Sequence, residues 1–279
     1  AHGAGGTYIS GSLADRDQTI DLGMNIPPLL GGESFSRLMH FGLGHVDEMV
    51  GDGALMSSHV GAGARSDREA AVMWLEPIVG RISVDRVLVC PGAQAAISAL
   101  ILAYSQPNDS IAAESLTYPG LLASCRVLQR SVQPVATDAE GMLPDDLERV
   151  CKEHRPRLVY LVPTIQNPTA TTMPVERREA IYAIATRYGV GIIEDDPYWL
   201  LAGDAPRPIA TFAEKAEGAP VFYISTLSKC LAPGLRTAYV VMPKSEGMEP
   251  VLDALRAITL MAHQGAVSMA SSWIRNGLA

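Results

Sequence analysis

Short apolar runs recur along the chain after residue 85, several of them separated by stretches with helical spacing. Arg86–Cys90, Ser110–Glu114, Val132–Ala136, Leu158–Val162, Val190–Glu194, Val221–Ser225 and Ala238–Met242 are apolar and bounded by turn residues, which predicts strands. Between them, Ala93–Ser105 has the spacing of a buried helix and Pro144-Asp145-Asp146 opens another. A further helix is predicted over Pro174–Tyr188, with Pro174 in its first turn and Gly189 as its stop. Repeated βα units of this length imply an α/β fold: a mostly parallel sheet sandwiched by helices, with loops at the strand carboxyl ends forming any site.

With 279 residues, 48% of them hydrophobic, the chain can bury the core of one large α/β domain. The aromatic share is only 6%, which suits small aliphatic side chains packed between helices and a parallel sheet. A formal net charge of -8 and the lack of a basic run argue against nucleic-acid contact by this chain itself. The 4 cysteines, Cys90, Cys125, Cys151 and Cys230, have no C-x-x-C spacing and read as reduced thiols of a cytoplasmic protein. Ala95–Tyr104, the longest apolar run, is too short for a bilayer, and Ala1–Gly6 has no basic segment of a signal peptide. No membrane partner is expected, and other nucleophile or metal chemistry finds no support, since G-x-S-x-G, H-E-x-x-H and cysteine-cluster patterns are missing.

Ahead of the strand series, Phe35–Val50 has helical periodicity with Leu38, Phe41, Leu43 and Val46 as candidate core positions, and Arg68–Val79 reads as a second helix. Leu55–Gly63 is a loop of small residues. After Met242 two more helical stretches follow, Glu249–Met261 and Gln264–Arg275.

Chemistry concentrates where predicted strands end. Ser225-Thr226-Leu227-Ser228-Lys229 closes the apolar run Val221–Ile224, and Pro233-Gly234-Leu235-Arg236 follows. A lysine there can form a Schiff base, and the hydroxyls with the arginine can hold a phosphate. Pro91-Gly92-Ala93-Gln94 joins a strand to a helix, so free helical amides face whatever lies beyond the strand. Tyr118, in Tyr118-Pro119-Gly120, offers a flat face for stacking. Glu194, Asp195 and Asp196 are carboxylates at a strand end, any of which could meet a cationic ring nitrogen, and spacing alone does not choose among them. Each motif alone reads equally well as an ordinary loop; their order and common position do not.

Together these stretches closely resemble fold-type-I pyridoxal-phosphate enzymes of the aminotransferase class I/II group, from about Ile20 to the end of the chain. The resemblance implies pyridoxal 5'-phosphate as cofactor, bound as a Schiff base on Lys229. It implies Thr226, Ser228 and Arg236 as the phosphate clamp, with Gly92, Ala93 and Gln94 as further cofactor contacts and Tyr118 as the stacking aromatic. In Pro163-Thr164-Ile165-Gln166-Asn167-Pro168-Thr169-Ala170 it assigns Asn167 to the cofactor's phenolic oxygen and the substrate carboxylate. Ala170 replaces the usual glycine there, at a steric cost if the position needs positive φ. The same resemblance selects Asp195 as the partner of the pyridine nitrogen and gives Tyr198 the phenolic oxygen, so that Lys229, Asp195 and Tyr198 form the catalytic set.

The segment Ile20–Pro28 resembles the entry of the aminotransferase-like domain in MocR regulators, where it lies over the substrate; Gly23 would let the backbone approach it. Ala1–Ser10 resembles the closing wing strand of a GntR-type winged helix, or is a glycine-rich leader. Where relatives carry a tyrosine that crosses the dimer to the neighbour's phosphate, this chain has Ser58 or His59. The domain expectation is a linker over 1–19, an amino-terminal segment over 20–85, the cofactor-binding domain over 86–245, and over 246–279 the helical start of a small carboxyl-terminal domain that is absent or incomplete. No residue here matches the family's carboxylate-gripping arginine; Arg275 comes too early. Three functions follow as expectations: the amino-acid- or amine-sensing module of a MocR/GntR regulator, touching DNA only through a missing amino-terminal domain; a free-standing aminotransferase; or a cofactor-free scaffold. Whether the chain turns substrate over is left open, and the family implies a homodimer.

Overall fold

The computed structural model describes residues 2–3, 6–7, 25, 27, 32–51 and 61–279. At the amino end β1 (His2–Gly3) pairs antiparallel with β2 (Gly6–Thr7), and α1 (Gly32–Gly51) and α2 (Arg65–Val79) follow. Then come β3 (Val87–Cys90), α3 (Ala93–Tyr104), β4 (Ser110–Glu114), α4 (Pro119–Val127) and β5 (Ser131–Val135). A small hairpin of β6 (Thr137–Asp138) and β7 (Gly141–Met142) leads to α5 (Pro144–His154), β8 (Leu158–Leu161), α6 (Val175–Tyr188) and β9 (Gly191–Asp195). The short α7 (Ala210–Ala213) precedes β10 (Val221–Thr226), β11 (Ala238–Val241), α8 (Glu249–Thr259) and α9 (Gln264–Arg275).

Every expected strand enters one 7-stranded sheet, ordered β3-β11-β10-β9-β8-β4-β5. The strands run parallel except β11, which is antiparallel to both β10 and β3. Alternation along each strand divides the core in two. Val87, Val89, Ile192, Val221 and Tyr223 face one layer, with α2, α5, α6 and α9. Leu88, Cys90, Ile193, Phe222 and Ile224 face the other, with α3, α4 and α8. This is why the runs other than the edge strand β5 carry no polar alternation: both faces of those strands are buried. α3 is packed between the sheet and α8, which accounts for its near-continuous apolar sequence.

The structure corrects several readings. α4 was not expected; nine residues opened by Pro119-Gly120 carry little helical signature, and tertiary contact of Leu121 and Cys125 with the core supplies what propensity does not. Pro174 is the residue before α6 rather than part of its first turn. On α1, Leu38 is buried, but Phe41 and Leu43 are 46% and 53% exposed. The inward stripe of α1 is Leu38, Gly42 and Val46, one helical turn apart, and Phe41 and Leu43 fall off it. At this stripe the fully buried Trp273 of α9 donates from Nε1 to the Leu38 carbonyl at 3.0 Å. Gly42 leaves room for the indole, because a Cβ at that position would stand 2.8 Å from Nε1.

Trp273→Ala is therefore expected to destabilise the fold by about 3–5 kcal/mol, the usual cost of emptying a large aromatic site. Urea unfolding of the variant checks this, and a loss below about 1 kcal/mol would contradict the packing of α1 on α9.

Candidate cofactor-binding active site

A cavity of about 380 Å³ opens beyond the carboxyl ends of the parallel strands, within the size range of small-molecule sites. It is lined by Ala93, Gln94, Tyr118, Asn167, Asp195, Tyr198, Thr226, Ser228, Lys229 and Arg236, together with Asn25 and apolar walls from Pro27, Val162 and Pro197. A larger open cavity of about 550 Å³ lies at the other end of the sheet, around Arg86, Tyr182 and Lys244, and has none of these groups in its lining.

Register chooses among the three consecutive acids. Ile193 faces the α3 layer, so two residues apart on the pleat Asp195 faces it too, while Glu194 points to the α6 layer. Glu194 there accepts from the Ile209 and Ala210 amides at 2.7 and 2.9 Å, at the start of α7. Asp196 is buried outside the cavity lining, and burial next to Glu194 pushes it well above the usual carboxylate range. Asp195 alone of the three lines the cavity. Its Oδ2 accepts from the Tyr160 hydroxyl at 2.8 Å, and its buried Oδ1 has no hydrogen-bond partner among the described residues. Burial raises its pKa to about 6, opposed by the Tyr160 hydrogen bond and the charge of Lys229. Relative to a free aspartate at 3.8, ionising it in the fold costs about 3 kcal/mol. A cationic N–H placed at Oδ1 would cancel that cost.

Lys229 stands just beyond β10 with its Nζ donating to the Asn25 carbonyl. Burial and the nearby charge of Arg236 pull its pKa down, against the attraction of Asp195. Asn25 also donates from Nδ2 to the Tyr198 hydroxyl at 2.7 Å, and burial, then the charge of Asp195, pushes Tyr198 up to about 12.

At the far end, Gly92 precedes α3 with φ +91°, and a Cβ there would run into the Arg236 guanidinium. Among the described residues no side chain caps α3, so its first amides keep their donors for an anion at the cavity. Thr226 Oγ1 lies 3.1 Å from both Ser228 Oγ and the Thr237 carbonyl, and Arg236 Nη1 is 3.5 Å from Ser228 Oγ. Gln94 spends its amide on the Gly120 carbonyl and Ser124 Oγ, at 2.9 and 2.8 Å, and so ties α3 to α4. Gly120 leaves the space that the Tyr118 ring and Gln94 occupy. In the Asn167 loop, Ala170 has φ +59°, so the alanine does sit where a glycine would be unstrained.

Of the expected site residues, the structure gathers all but two in the cavity lining. Gly92 lies directly behind it against Arg236, and Gly23 falls outside the described residues, as do Ser58 and His59. Asn25 and Tyr160 were not singled out. Each carried one faint signal: an amide within the segment Ile20–Pro28, and a phenol inside the apolar run Leu158–Val162.

An orphaned carboxylate oxygen, an anion cradle that excludes a Cβ, and an amine beside both fit the ring nitrogen, phosphate and aldehyde of pyridoxal 5'-phosphate. Sheet and cavity thus define a pyridoxal-phosphate-binding domain of fold type I. The chain belongs to the family described as aminotransferase class I and II, whose model matches residues 62–275. A relative named as an uncharacterised HTH-type transcriptional regulator, YdeF of Bacillus subtilis, is 36% identical over 188 residues, 67% of this chain and 40% of that protein. An aromatic-amino-acid aminotransferase of Thermococcus litoralis is 32% identical over 166 residues, 57% of this chain and 39% of its own. Among solved structures, the α-aminoadipate aminotransferase LysN of Thermus thermophilus, complexed with N-(5'-phosphopyridoxyl)-L-leucine, superposes with a TM-score of 0.80 at 23% identity, covering 91% of this chain and 64% of LysN. A multiple-substrate aminotransferase of Thermococcus profundus gives a TM-score of 0.77 at 26% identity over 96% of this chain and 69% of its own. The chain spans about two fifths of the length of the first curated relatives it matches.

The raised pKa of Asp195 has a stability signature. Its folded-state value of about 6 exceeds the unfolded 3.8, so the contribution of the protonated form is complete below about pH 4 and is lost as pH rises through 6. Cofactor-free Asp195→Asn is expected to match the wild type near pH 4 and to exceed it by about 3 kcal/mol at pH 8. Urea midpoints at the two pH values test this; a gap that does not widen with pH contradicts the burial of an ionisable Asp195.

Proposed function

We propose that this chain binds pyridoxal 5'-phosphate through Lys229 and is the effector-sensing module of a MocR/GntR-type regulator, its ligand an amino acid or amine. The observation that carries the cofactor reading is Asp195 beside Lys229, with one oxygen held by Tyr160 and the other bare. The regulator half rests on YdeF and on a second relative named as an uncharacterised HTH-type regulator, YdfD of Bacillus subtilis, 32% identical over 219 residues and 75% of this chain. The paired β1 and β2 at the amino end fit the remnant of a wing. A second reading, a free-standing aminotransferase, is supported by the Thermococcus litoralis relative at similar identity. A homodimer belongs to both readings.

When bound, pyridoxal 5'-phosphate supplies an aldehyde that takes up an amine and a ring that stores the electron pair released at the α-carbon. Asp195 Oδ1 would accept from the ring nitrogen and keep a proton there. Tyr198 and Asn167 would donate to the phenolic oxygen, and Tyr118 would cover the ring face. Thr226, Ser228 and Arg236, with the free amides at the start of α3, would hold the phosphate in charge-assisted bonds, and Gln94 would support them by tying α3 to α4. The lowered pKa of Lys229 leaves more of its amine neutral, as a nucleophile and as a base for an α-proton must be.

The test is the near-visible spectrum of the protein with added pyridoxal 5'-phosphate, followed by borohydride reduction and peptide mapping. The expected result is a single reduced label on Lys229, lost in Lys229→Ala; label scattered over surface lysines would favour the scaffold instead. Asp195→Asn is expected to weaken binding by roughly 10–100-fold, the loss of one buried charged hydrogen bond. Adding candidate amino acids with a 2-oxo acid then separates the readings: ligand-dependent spectral change without net amino transfer supports the sensor, and sustained transfer supports the enzyme.

A further inference from the structure

Arg178 on α6 is fully buried yet makes no ion pair among the described residues. Glu194 and Asp196 stand close enough to act on its charge through space, while its hydrogen bonds go elsewhere. Nε donates to the Met173 carbonyl at 2.9 Å, and Nη2 donates to the Pro163 carbonyl at 2.9 Å and to Thr164 Oγ1 at 3.1 Å. Pro163 and Met173 are the two feet of the loop that brings Asn167 into the cavity, and the Met173 amide closes that loop on the Pro163 carbonyl at 2.8 Å. One planar guanidinium therefore pins both feet at once, which a point-charge ammonium cannot do.

The loop needs such a brace. Ile165 and Ala170 both take positive φ, +47° and +59°, a conformation strained for non-glycine residues that persists only where the surroundings over-determine it. From above, Gln166 holds the loop through the Leu116 carbonyl at 2.6 Å and Glu114 Oε2 at 3.2 Å. From below, Arg178 is the corresponding restraint.

We propose that Arg178 is a positioning residue for the cofactor site, setting where Asn167 stands in the cavity without touching the ligand itself. The inference rests on the reading that this cavity holds pyridoxal 5'-phosphate. It is tested by a double-mutant cycle on pyridoxal 5'-phosphate affinity, measured by absorption titration, with urea midpoints recorded in parallel. Arg178→Lys keeps the charge that faces Glu194 and Asp196 but loses the fork. Arg178→Lys and Asn167→Ala are each expected to weaken binding by roughly 10-fold, and the double variant to be no weaker than Asn167→Ala alone. Multiplied effects, or a lower unfolding midpoint with wild-type affinity, would overturn the positioning role. If Arg178→Lys does not fold, Thr164→Val replaces it in the cycle, removing one acceptor of the same fork: non-additivity with Asn167→Ala supports the proposal and multiplied effects overturn it. A wild-type protein that takes no label on Lys229 fails the site reading, and this inference falls with it; a wild type that binds while the variants multiply fails this inference alone.

Discussion

Burying an acid with one oxygen unanswered is unfavourable, and at Asp195 the fold accepts that cost. Tyr160, on the neighbouring strand, satisfies Oδ2 and thereby fixes the direction in which Oδ1 points. The pleat sends Glu194 the opposite way, where the first amides of α7 receive it, so the two carboxylates never compete for one space. The bare Oδ1 of Asp195 favours an occupant that brings a hydrogen-bond donor to it, and a cationic one most of all.

The amine and the anion cradle are arranged around that fixed point. Arg236 serves both, approaching Gly92 from across the sheet and depressing the basicity of Lys229 through its charge. An anion bound at the start of α3 would offset that effect, so occupancy of the cradle and the protonation of the lysine are coupled by electrostatics alone. Asn25, reaching both Lys229 and Tyr198, occupies the open side of the same space.

Much of this was legible in the sequence because strands buried on both faces announce themselves as unbroken apolar runs, and Ser110–Glu114 and Gln264–Arg275 match their elements residue for residue. The site motifs were legible for a related reason, since each follows such a run and so must lie at one end of the sheet. What the sequence left open is what depends on register or on distant partners. Spacing did not choose Asp195 over Glu194 and Asp196; the family resemblance did, and the pleat supplies the physical reason. Asn25 meets Tyr198 across 173 residues, and Tyr160 meets Asp195 across 35, separations over which no local pattern carries information. On α1, apolar residues at Phe41 and Leu43 satisfied a count of hydrophobicity but not the helical stripe that Trp273 selects.

The antiparallel strand β11 has a bearing on how the molecule is assembled. Ala238 pairs with Cys90, and the turn at Gly92 that follows stands beside Arg236. The two halves of the anion cradle are thus made by segments far apart along the chain, and a contact of that kind waits until the intervening loop closure has been offset by the rest of the sheet. The cradle needs β3 docked on β11, so an anion held between the start of α3 and Arg236 would stabilise that edge pairing.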